Sequence, residues 1–333
     1  MVGPSWVGDM VMAQSLLKLL AARRPDTPID MLAPQWSLPI IERMPEVRQG
    51  IVMPTRHAEI GIGKRFRVAR QLRDNDYQQA IVLPRSLKAA LVPWFAGISR
   101  RTGYRGEMRY LLINDVRPFD KAVLNQTVKR FCSLGLDPGE ALAEIPNPAL
   151  SVSSENQERV MDRLGLHTDK RVIAMMPGAE FGPAKCWPVE YFAELAAALV
   201  AKDFAVWVLG SASDQKAGAE ISQTSGAQNL CGQTQLADVV DLAAACEACV
   251  SNDSGLMHIA AAVGAKVIGI YGSTSPEFTP PLTDNRVLHY LQLECSPCFQ
   301  RECPLGHLRC LRDITPTVVE KSIVSDNVDK TNC

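Results

Sequence analysis

Short apolar segments alternate with amphipathic helical segments along the whole chain. In the first half this pattern predicts strands over residues 28–33, 50–53, 79–84 and 101–104, and helices over residues 9–24, 36–44, 58–74, 86–96 and 125–134. In the second half it predicts strands over residues 171–178, 204–211, 227–232, 248–252 and 266–272, and helices over residues 154–165, 188–202, 214–223, 235–246 and 254–263. Nearly continuous apolar strands that alternate with helices are typical of parallel sheets covered on both faces.

The two halves are separated by a segment without a clear hydrophobic period. Residues 136–152, LDPGEALAEIPNPALSV, contain three prolines and are interpreted as a linker. The sequence therefore predicts an α/β protein with two Rossmann-like domains, residues 1–150 and 151–315, facing a cleft. Because ligands of such sheets bind beyond the carboxyl ends of the strands, the strand-to-helix loops are the place to look for chemistry.

The charges are distributed unevenly between the halves. Residues 1–150 hold 21 Lys/Arg and 14 Asp/Glu, a balance of +7, whereas residues 151–333 hold 14 and 22, a balance of −8. A basic surface attracts anions such as nucleic acid, lipid head groups or a phosphorylated substrate, although the basic side chains over 64–73 are equally well explained as a solvated helix face. Aromatic residues are only 6% of the chain, which argues against nucleic acid.

Neither a membrane span nor a secretory leader is predicted. The apolar run AALVPWFAGI is about half the length of roughly 20 residues that a bilayer requires, and the first ten residues lack a basic segment. We therefore expect a cytoplasmic protein.

The loop over residues 251–276 follows an apolar strand and opens a helix. Asp253 or Ser254 is placed to cap that helix, and Gly255 lets its backbone approach a ligand closely. The free N–H groups and the dipole of such a helix start suit a phosphate, and His258 lies one turn further on. An ordinary capped helix with a core histidine explains the same residues.

Two other loops follow predicted strands. In PGAEFGPAKCWP, residues 177–188, Lys185 is the only cation, and it is interpreted either as a partner for a diphosphate or as a solvated lysine. In LGSASDQ, residues 209–215, Gly210 precedes Asp214, which either accepts a ribose hydroxyl or caps the next helix, the cap being slightly favoured.

Several common chemistries lack their motifs. The chain contains no Walker A sequence, no Gly-x-Gly-x-x-Gly and no Gly-x-Ser-x-Gly, which argues against P-loop chemistry, hydride transfer and serine hydrolysis. The second half, which carries these loops, contains no Asp-x-Asp metal motif. Anion-binding helix starts in one half and a basic other half point to a nucleotide-activated donor and an anionic acceptor.

Ten cysteines are present, and four of them are grouped in CSPCFQRECPLGHLRC. The Cys-x2-Cys start resembles half of a metal site, but the later spacings match no zinc or iron–sulfur pattern. A reduced loop is the favoured interpretation, and a structural metal is the less favoured one, on Cys295, Cys298, Cys303 and Cys310.

Four segments in this order, GPSWVGDM, PGAEFGPAKCWP, NDSGLMHIAAA and YGSTSPEFTPPL, resemble the ADP-heptose:lipopolysaccharide heptosyltransferases of Gram-negative bacteria. The resemblance runs from about residue 2 to about residue 325. It implies a B-type glycosyltransferase fold with the donor in the C-terminal domain, and residues 316–333 returning toward the N-terminal domain. It also implies inverting transfer of L-glycero-D-manno-heptose from ADP-heptose onto the first heptose of the Kdo–lipid A inner core, without a cofactor.

The resemblance also assigns roles to residues. It makes Asp9 the base that takes the proton from the acceptor hydroxyl. The donor-binding set that it implies, together with the loop residues above, is Gly178, Glu180, Lys185, Gly210, Asp214, Asp253, Ser254, Gly255, Leu256, Met257 and His258. For the anionic acceptor we expect Arg85 and Lys88 first, then Lys64, Arg65 and Arg67, and then the arginines near 100–109. The same basic residues suit peripheral contact with the inner leaflet of the inner membrane.

Three alternatives stay open at this point. A heptosyltransferase of a neighbouring core step would differ only in its acceptor. A sugar-nucleotide 2-epimerase of the same architecture would need further carboxylates. A non-catalytic protein that binds a nucleotide or anionic lipid would not depend on Asp9.

Overall fold

The structure is a computed structural model that describes residues 1–55, 59–142 and 144–324. The chain divides into two compact units, Met1–Pro148 and Ala149–Cys333. Each unit has parallel strands and its own apolar core.

The first unit alternates strands and helices from its start. Its strands are β1 (Asp30–Pro34), β2 (Gln49–Met53), β3 (Gln79–Val82), β4 (Arg100–Tyr104) and β5 (Asp115–Arg117). Its helices are α1 (Val7–Arg23), α2 (Leu38–Ile41), α3 (Ile62–Leu72), α4 (Leu87–Phe95) and α5 (Thr127–Ser133).

Val2 joins two groups of parallel strands in the first unit. β1 pairs with β2, with Asp30 opposite Gln49, and β3 pairs with β4, which pairs with β5. Val2 bridges in parallel to Leu32 of β1 and to Val82 of β3. The spatial order is thus β2, β1, Val2, β3, β4, β5, and the order reverses on either side of Val2. In doubly wound sheets this reversal is where ligands bind.

The second unit repeats this alternation of strands and helices. Its strands are β6 (Val172–Met176), β7 (Ala205–Val208), β8 (Gln228–Asn229), β9 (Ala248–Asn252), β10 (Lys266–Ile270) and β11 (Arg286–His289). Its helices are α6 (Ser154–Leu164), α7 (Val189–Ala201), α8 (Gln215–Ser225), α9 (Leu236–Ala244), α10 (Gly255–Ala262), α11 (Arg309–Arg312) and α12 (Pro316–Val324).

All strand pairs of the second sheet are parallel, in the order β11, β10, β9, β6, β7, β8. The order reverses between β6 and β9, so the loops that follow these two strands lie at the switch point. Alternate residues of β6 face opposite sides, as the period of two requires. Ile173 and Met175 belong to the core that includes α7 and α12, whereas Val172, Ala174 and Met176 belong to the core that includes α9 and α10.

The predicted fold class is confirmed: both units are α/β with parallel sheets. The strands β5 and β11 and the helices α11 and α12 were not predicted. β5 has three residues and β11 is only half-buried, so neither carries a strong apolar signal. The helix predicted over 58–74 begins at Ile62, and residue 58 lies outside the described residues.

Helix α12 packs within the second unit. Val319 and Ile323 of α12 are buried in the core of the second unit, and residues 325–333 lie outside the described residues.

Within the described residues, no helix combines the length and the apolar character that a bilayer crossing requires.

Candidate functional site

The start of α10 is open at the switch point of the second sheet. Ser254 is the N-cap residue, with extended φ −140° and ψ 169°, and its side chain makes no capping hydrogen bond. Its hydroxyl lies 3.2 Å from Ser251 Oγ instead. Ser254, Gly255 and Leu256 are half-buried, so the N–H groups of the first turn have no side-chain cap and remain suited to an anion.

Lys185 and Asp253 form a largely buried ion pair beside this helix start. Lys185 ends a short 3-10 turn over Pro183–Lys185, and its Nζ donates to Asp253 Oδ2 at 2.5 Å and to the Asp253 carbonyl at 3.3 Å. The side chains are 15% and 4% exposed. Thr274 Oγ1 donates to Asp253 Oδ2 at 2.6 Å, and Thr279 Oγ1 lies 3.5 Å from Oδ1. These bonds hold the lysine in one place at the switch point.

Asn252 at the end of β9 ties the Lys185 loop to the sheet. Its Nδ2 donates to the carbonyl of Pro177 at 2.6 Å, and its Oδ1 accepts from the backbone N–H of Trp187 at 2.9 Å. Asn252 is fully buried, so both ends of the loop over 177–187 are held by one side chain. The loop, whose one regular element is the short 3-10 turn over Pro183–Lys185, is thus held at both ends.

His258 lies in the second turn of α10 and is neutral near pH 7. Burial lowers its pKa to about 4, while Asp253 opposes this shift and Lys185 adds to it. The imidazole therefore offers one N–H donor and one acceptor rather than a positive charge. Met257 is fully buried, so only its backbone is placed to take part in a site, and Leu256 is half-buried.

Asp214 helps to cap the 3-10 turn over Ala212–Asp214 that leads into α8, which is close to the slightly favoured interpretation. Its Oδ2 accepts from Ser211 N at 2.7 Å, and the Ser211 side chain accepts from the Asp214 N–H, so the two residues form a capping box. A Cβ built on Gly178 would lie 2.6 Å from Asp214 Oδ1, and one on Gly210 would lie 2.8 Å from Asp214 Cβ. The glycines therefore let two loops close around this carboxylate. A role of Asp214 toward a ribose stays a prediction, and so does donor binding by the exposed Glu180.

Asp9 lies at the switch point of the first sheet, one short loop after Val2. It is half-buried in the first turn of α1, where the helix dipole favours a carboxylate. The N-cap of α1 is Trp6, so Asp9 is not the capping residue. A Cβ on Gly3 would lie 2.8 Å from Met10 Cε, so the chain after Val2 passes close to the side chain of Met10.

Arg85 is a basic residue at the same switch point. It follows β3, is exposed, and places its guanidinium carbon 4.7 Å from the centroid of the Phe119 ring. Arg130 approaches the same ring at 5.2 Å. The buried Arg109 donates to the carbonyls of Pro84 and Ser86, so it fixes the loop that carries Arg85. Burial lowers the pKa of Arg109 to about 10, and it stays protonated at neutral pH.

Arg65 differs from the expectation for an acceptor residue. It is 6% exposed, and its Nε donates to the carbonyl of Ile60 at 2.6 Å. Burial lowers its pKa. Lys64 is exposed but paired with Glu59 at 2.8 Å, whereas Arg67 is exposed and has no ionic partner among the described residues.

The other basic residues named for the acceptor fall into two groups. Arg100 pairs with Asp115 at 2.9 Å, and Arg101 Nε donates to the carbonyl of Leu112 at 2.8 Å, so both are held by the protein itself. Lys88 is half-buried in the first turn of α4, and Arg105 is exposed against the ring of Tyr110.

Thr274, Thr279, Asn252 and Arg130 were not predicted. Both threonines lie in the segment YGSTSPEFTPPL. Because a threonine side chain is uncharged, neither was recognised as a site residue from the sequence. Arg130 lies on α5, far in sequence from Arg85, and only the shared Phe119 ring brings the two together.

The cysteine loop keeps its thiols free. Cys295, Cys298 and Cys303 are half-buried, Cys310 is buried, and none forms a disulfide. Backbone hydrogen bonds, foremost from Leu308, lower the pKa of Cys303, whereas burial raises that of Cys310 to about 11. Within the described residues, no group of three or more His, Cys, Asp or Glu side chains is placed to hold a metal.

Comparison with known proteins shows the family of this chain. Residues 65–309 match the sequence pattern of glycosyltransferase family 9 (heptosyltransferase). Lipopolysaccharide heptosyltransferase 2 of Escherichia coli K12 is 44% identical over 327 residues, which are 95% of this chain and 94% of that protein. The chain belongs to glycosyltransferase family 9. The resemblance found in four short segments is therefore confirmed over nearly the whole length.

Solved structures of heptosyltransferases share the fold of this family 9 chain. E. coli ADP-heptose LPS heptosyltransferase II matches it with a TM-score of 0.88 and 42% identity, covering 97% of this chain and 96% of that one. An E. coli heptosyltransferase solved with ADP-2-deoxy-2-fluoro heptose is 18% identical, with a TM-score of 0.70 and 98% coverage of both chains, and shows the shared fold.

Proposed function

We propose that the chain is an inverting heptosyltransferase that moves L-glycero-D-manno-heptose from ADP-heptose onto the first heptose of a Kdo–lipid A inner core. The observation that carries this proposal is the Lys185–Asp253 pair beside the uncapped start of α10, at the switch point of a family 9 chain. Similarity to heptosyltransferase 2 over 95% of the chain supports the choice of donor and acceptor.

The donor diphosphate would be held by Lys185 and by the first-turn N–H groups of α10. As the bond between the anomeric carbon and the diphosphate breaks, negative charge grows on ADP, and fixed donors stabilise it. His258, neutral at pH 7, would add a hydrogen bond rather than a charge. The threonines that hold Asp253 keep Lys185 from following the leaving group.

Asp9 would act as the general base. Its carboxylate takes the proton of the acceptor hydroxyl while the oxygen attacks the anomeric carbon, and ADP leaves from the opposite face. One bond to the anomeric carbon forms as the other breaks, so the configuration inverts. The first turn of α1 favours the ionised carboxylate that this step needs.

The acceptor carries carboxylates and phosphates, and Arg85 is the best-placed residue to meet them. It is exposed, stacked on Phe119 and joined by Arg130 at the same ring. Arginines paired with carboxylates or phosphates form bidentate bonds, so two of them suit a polyanionic sugar acid. Lys88, three residues after Arg85 in the first turn of α4, would add to this set.

The reaction step is tested by offering the purified protein ADP-heptose with each of two acceptors and without an acceptor. We expect ADP release with heptosyl-Kdo–lipid A and little with Kdo–lipid A that lacks heptose. Preference for the heptose-free acceptor would instead indicate the preceding step. Conversion of ADP-heptose without any acceptor would indicate an epimerase, and binding without turnover would indicate a non-catalytic protein.

We also propose that the protein acts in the cytoplasm and touches the anionic inner leaflet through α3. Ile62 and Phe66 are exposed on this helix among Arg67 and Arg70, which have no ionic partner in the part of the chain that the structure describes. Each basic residue near an anionic surface contributes about 1 kcal/mol. Sedimentation with phosphatidylglycerol vesicles should retain the parent and lose an Arg67→Glu/Arg70→Glu variant. Equal sedimentation of both would contradict the proposal.

We propose further that transfer needs no resident metal or cofactor, because Lys185 Nζ and the first-turn N–H groups of α10 would donate hydrogen bonds to the diphosphate. Full turnover in EDTA is expected. Loss of turnover that Mg²⁺ restores would show that a metal ion takes part.

A further inference from the structure

The segment over residues 296–301, between the grouped cysteines, packs on the loops of the proposed donor site. Ser296 Oγ donates to the Gly272 carbonyl at 2.5 Å, and the Phe299 N–H donates to the Ser273 carbonyl at 2.7 Å. The ring of Phe299 meets that of Phe278 edge-on at 6.2 Å. This segment is therefore fastened to the loop that supplies Thr274 and Thr279.

Arg301 fastens the same segment to the Lys185 loop. Its Nε donates to the Phe181 carbonyl at 2.7 Å, and its own carbonyl accepts from Ala184 N at 3.0 Å. A Cβ built on Gly182 would lie 2.6 Å from the Arg301 carbonyl oxygen, so the two backbones are in close contact. The residue is exposed, and its two terminal nitrogens have no hydrogen-bond partner among the described residues.

Lys185 and Arg301 lie against one aromatic ring. Lys185 Nζ is 5.2 Å and Arg301 Cζ is 5.9 Å from the centroid of Phe181. A ligand bound at Lys185 is consequently within reach of a long, exposed guanidinium.

The charges at this place call for a second cation. Lys185 is neutralised by Asp253, and the carboxylates of Glu180 and Asp214 belong to the same loops. A nucleoside diphosphate brings further negative charge into these surroundings. Arg301 carries the positive charge that the lysine pair does not provide, in the planar form that binds phosphate oxygens in pairs.

We propose that Arg301 binds the diphosphate of the nucleotide donor and stabilises the charge on it as it leaves. This inference rests on the proposed function, because it requires a nucleoside diphosphate at Lys185. On this proposal, the function of the cysteine loop is to hold Arg301 at the donor site.

Calorimetric titration of the full chain with ADP and with adenosine tests this inference. We expect Arg301→Gln to weaken ADP binding by about tenfold or more, the usual size for a lost charge-assisted bond, and to change adenosine binding less than about twofold. Arg301→Lys keeps the charge and should weaken ADP binding less. Arg309→Gln is the matched control, because Arg309 is exposed in the same region and paired with Asp313 at 3.0 Å.

The outcomes separate this inference from the proposed function. ADP binding by Arg301→Gln that stays within about twofold of the parent would overturn the inference alone. Equal weakening of ADP and adenosine binding would also overturn it, since it would show that Arg301 only braces the loop. A parent chain that fails to bind ADP would overturn the inference and the proposed function together.

Discussion

At the scale of single residues, the proposed donor site depends mainly on the buried pair of Lys185 and Asp253. Its two side chains are 15% and 4% exposed, so each charge depends on the other. Breaking such a pair by removing one partner leaves an uncompensated buried charge, which costs about 3–5 kcal/mol. Binding and stability are therefore linked at this pair.

Lys185→Met should lower both ADP affinity and the free energy of unfolding, because it removes the cation and leaves Asp253 unpaired. The double variant Lys185→Met/Asp253→Asn should regain stability but not ADP affinity. Calorimetry and urea unfolding measure the two quantities. Lys170→Met is the control, since Lys170 and its partner Asp203 are 49% and 82% exposed, and the loss of a surface ion pair should change neither quantity much. Regained ADP affinity in the double variant would contradict the role of Lys185.

His258 predicts a pH dependence of stability. Its pKa is about 4 in the folded chain against 6.5 as its ordinary value, so the unfolded chain binds more protons between these pH values. Stability should therefore fall as the pH is lowered through this window, by about 2 kcal/mol from this group between pH 7 and pH 5. Urea unfolding of the parent and of His258→Gln at both pH values isolates this part. Identical pH dependence of the two chains would rule it out.

At the scale of elements, the loop over 177–188 shows what local pattern predicts and what it does not. Lys185 is recognisable because it is the only cation of this loop, which joins a predicted strand to a predicted helix. Its partners Asp253 and Thr274 lie on other loops, and no pattern within the segment indicates them. Arg65 could have been placed correctly, since residues 65, 68, 69 and 72 follow a helical period and all are buried.

Gly182 tests whether the shape of this loop matters for binding. Its φ of +152° favours glycine, and a Cβ would meet the Arg301 carbonyl oxygen at 2.6 Å. Gly182→Ala should therefore weaken ADP binding. Gly63→Ala is the matched control, because a Cβ there meets nothing within 4 Å, and in a helix it should stabilise the chain by up to about 1 kcal/mol. Unchanged ADP binding in Gly182→Ala would show that the loop tolerates the strain.

At the scale of the whole molecule, alternating strands and helices predict two α/β units, and both are present with parallel sheets. The strand order could not be predicted, because it depends on pairings between distant segments. In the first sheet the central position is taken by Val2 alone. The charge balance of +7 over residues 1–150 suits the anionic acceptor proposed for the first unit.

The most direct test of the account compares Asp9→Asn with the parent in two measurements on the same preparation. ADP release is followed with ADP-heptose and heptosyl-Kdo–lipid A, and ADP binding is followed by calorimetry. We predict that the variant loses about two to four orders of magnitude in turnover, as removal of a general base does, and keeps the ADP affinity of the parent. Equal turnover of the two chains would contradict the assignment of Asp9 as the base.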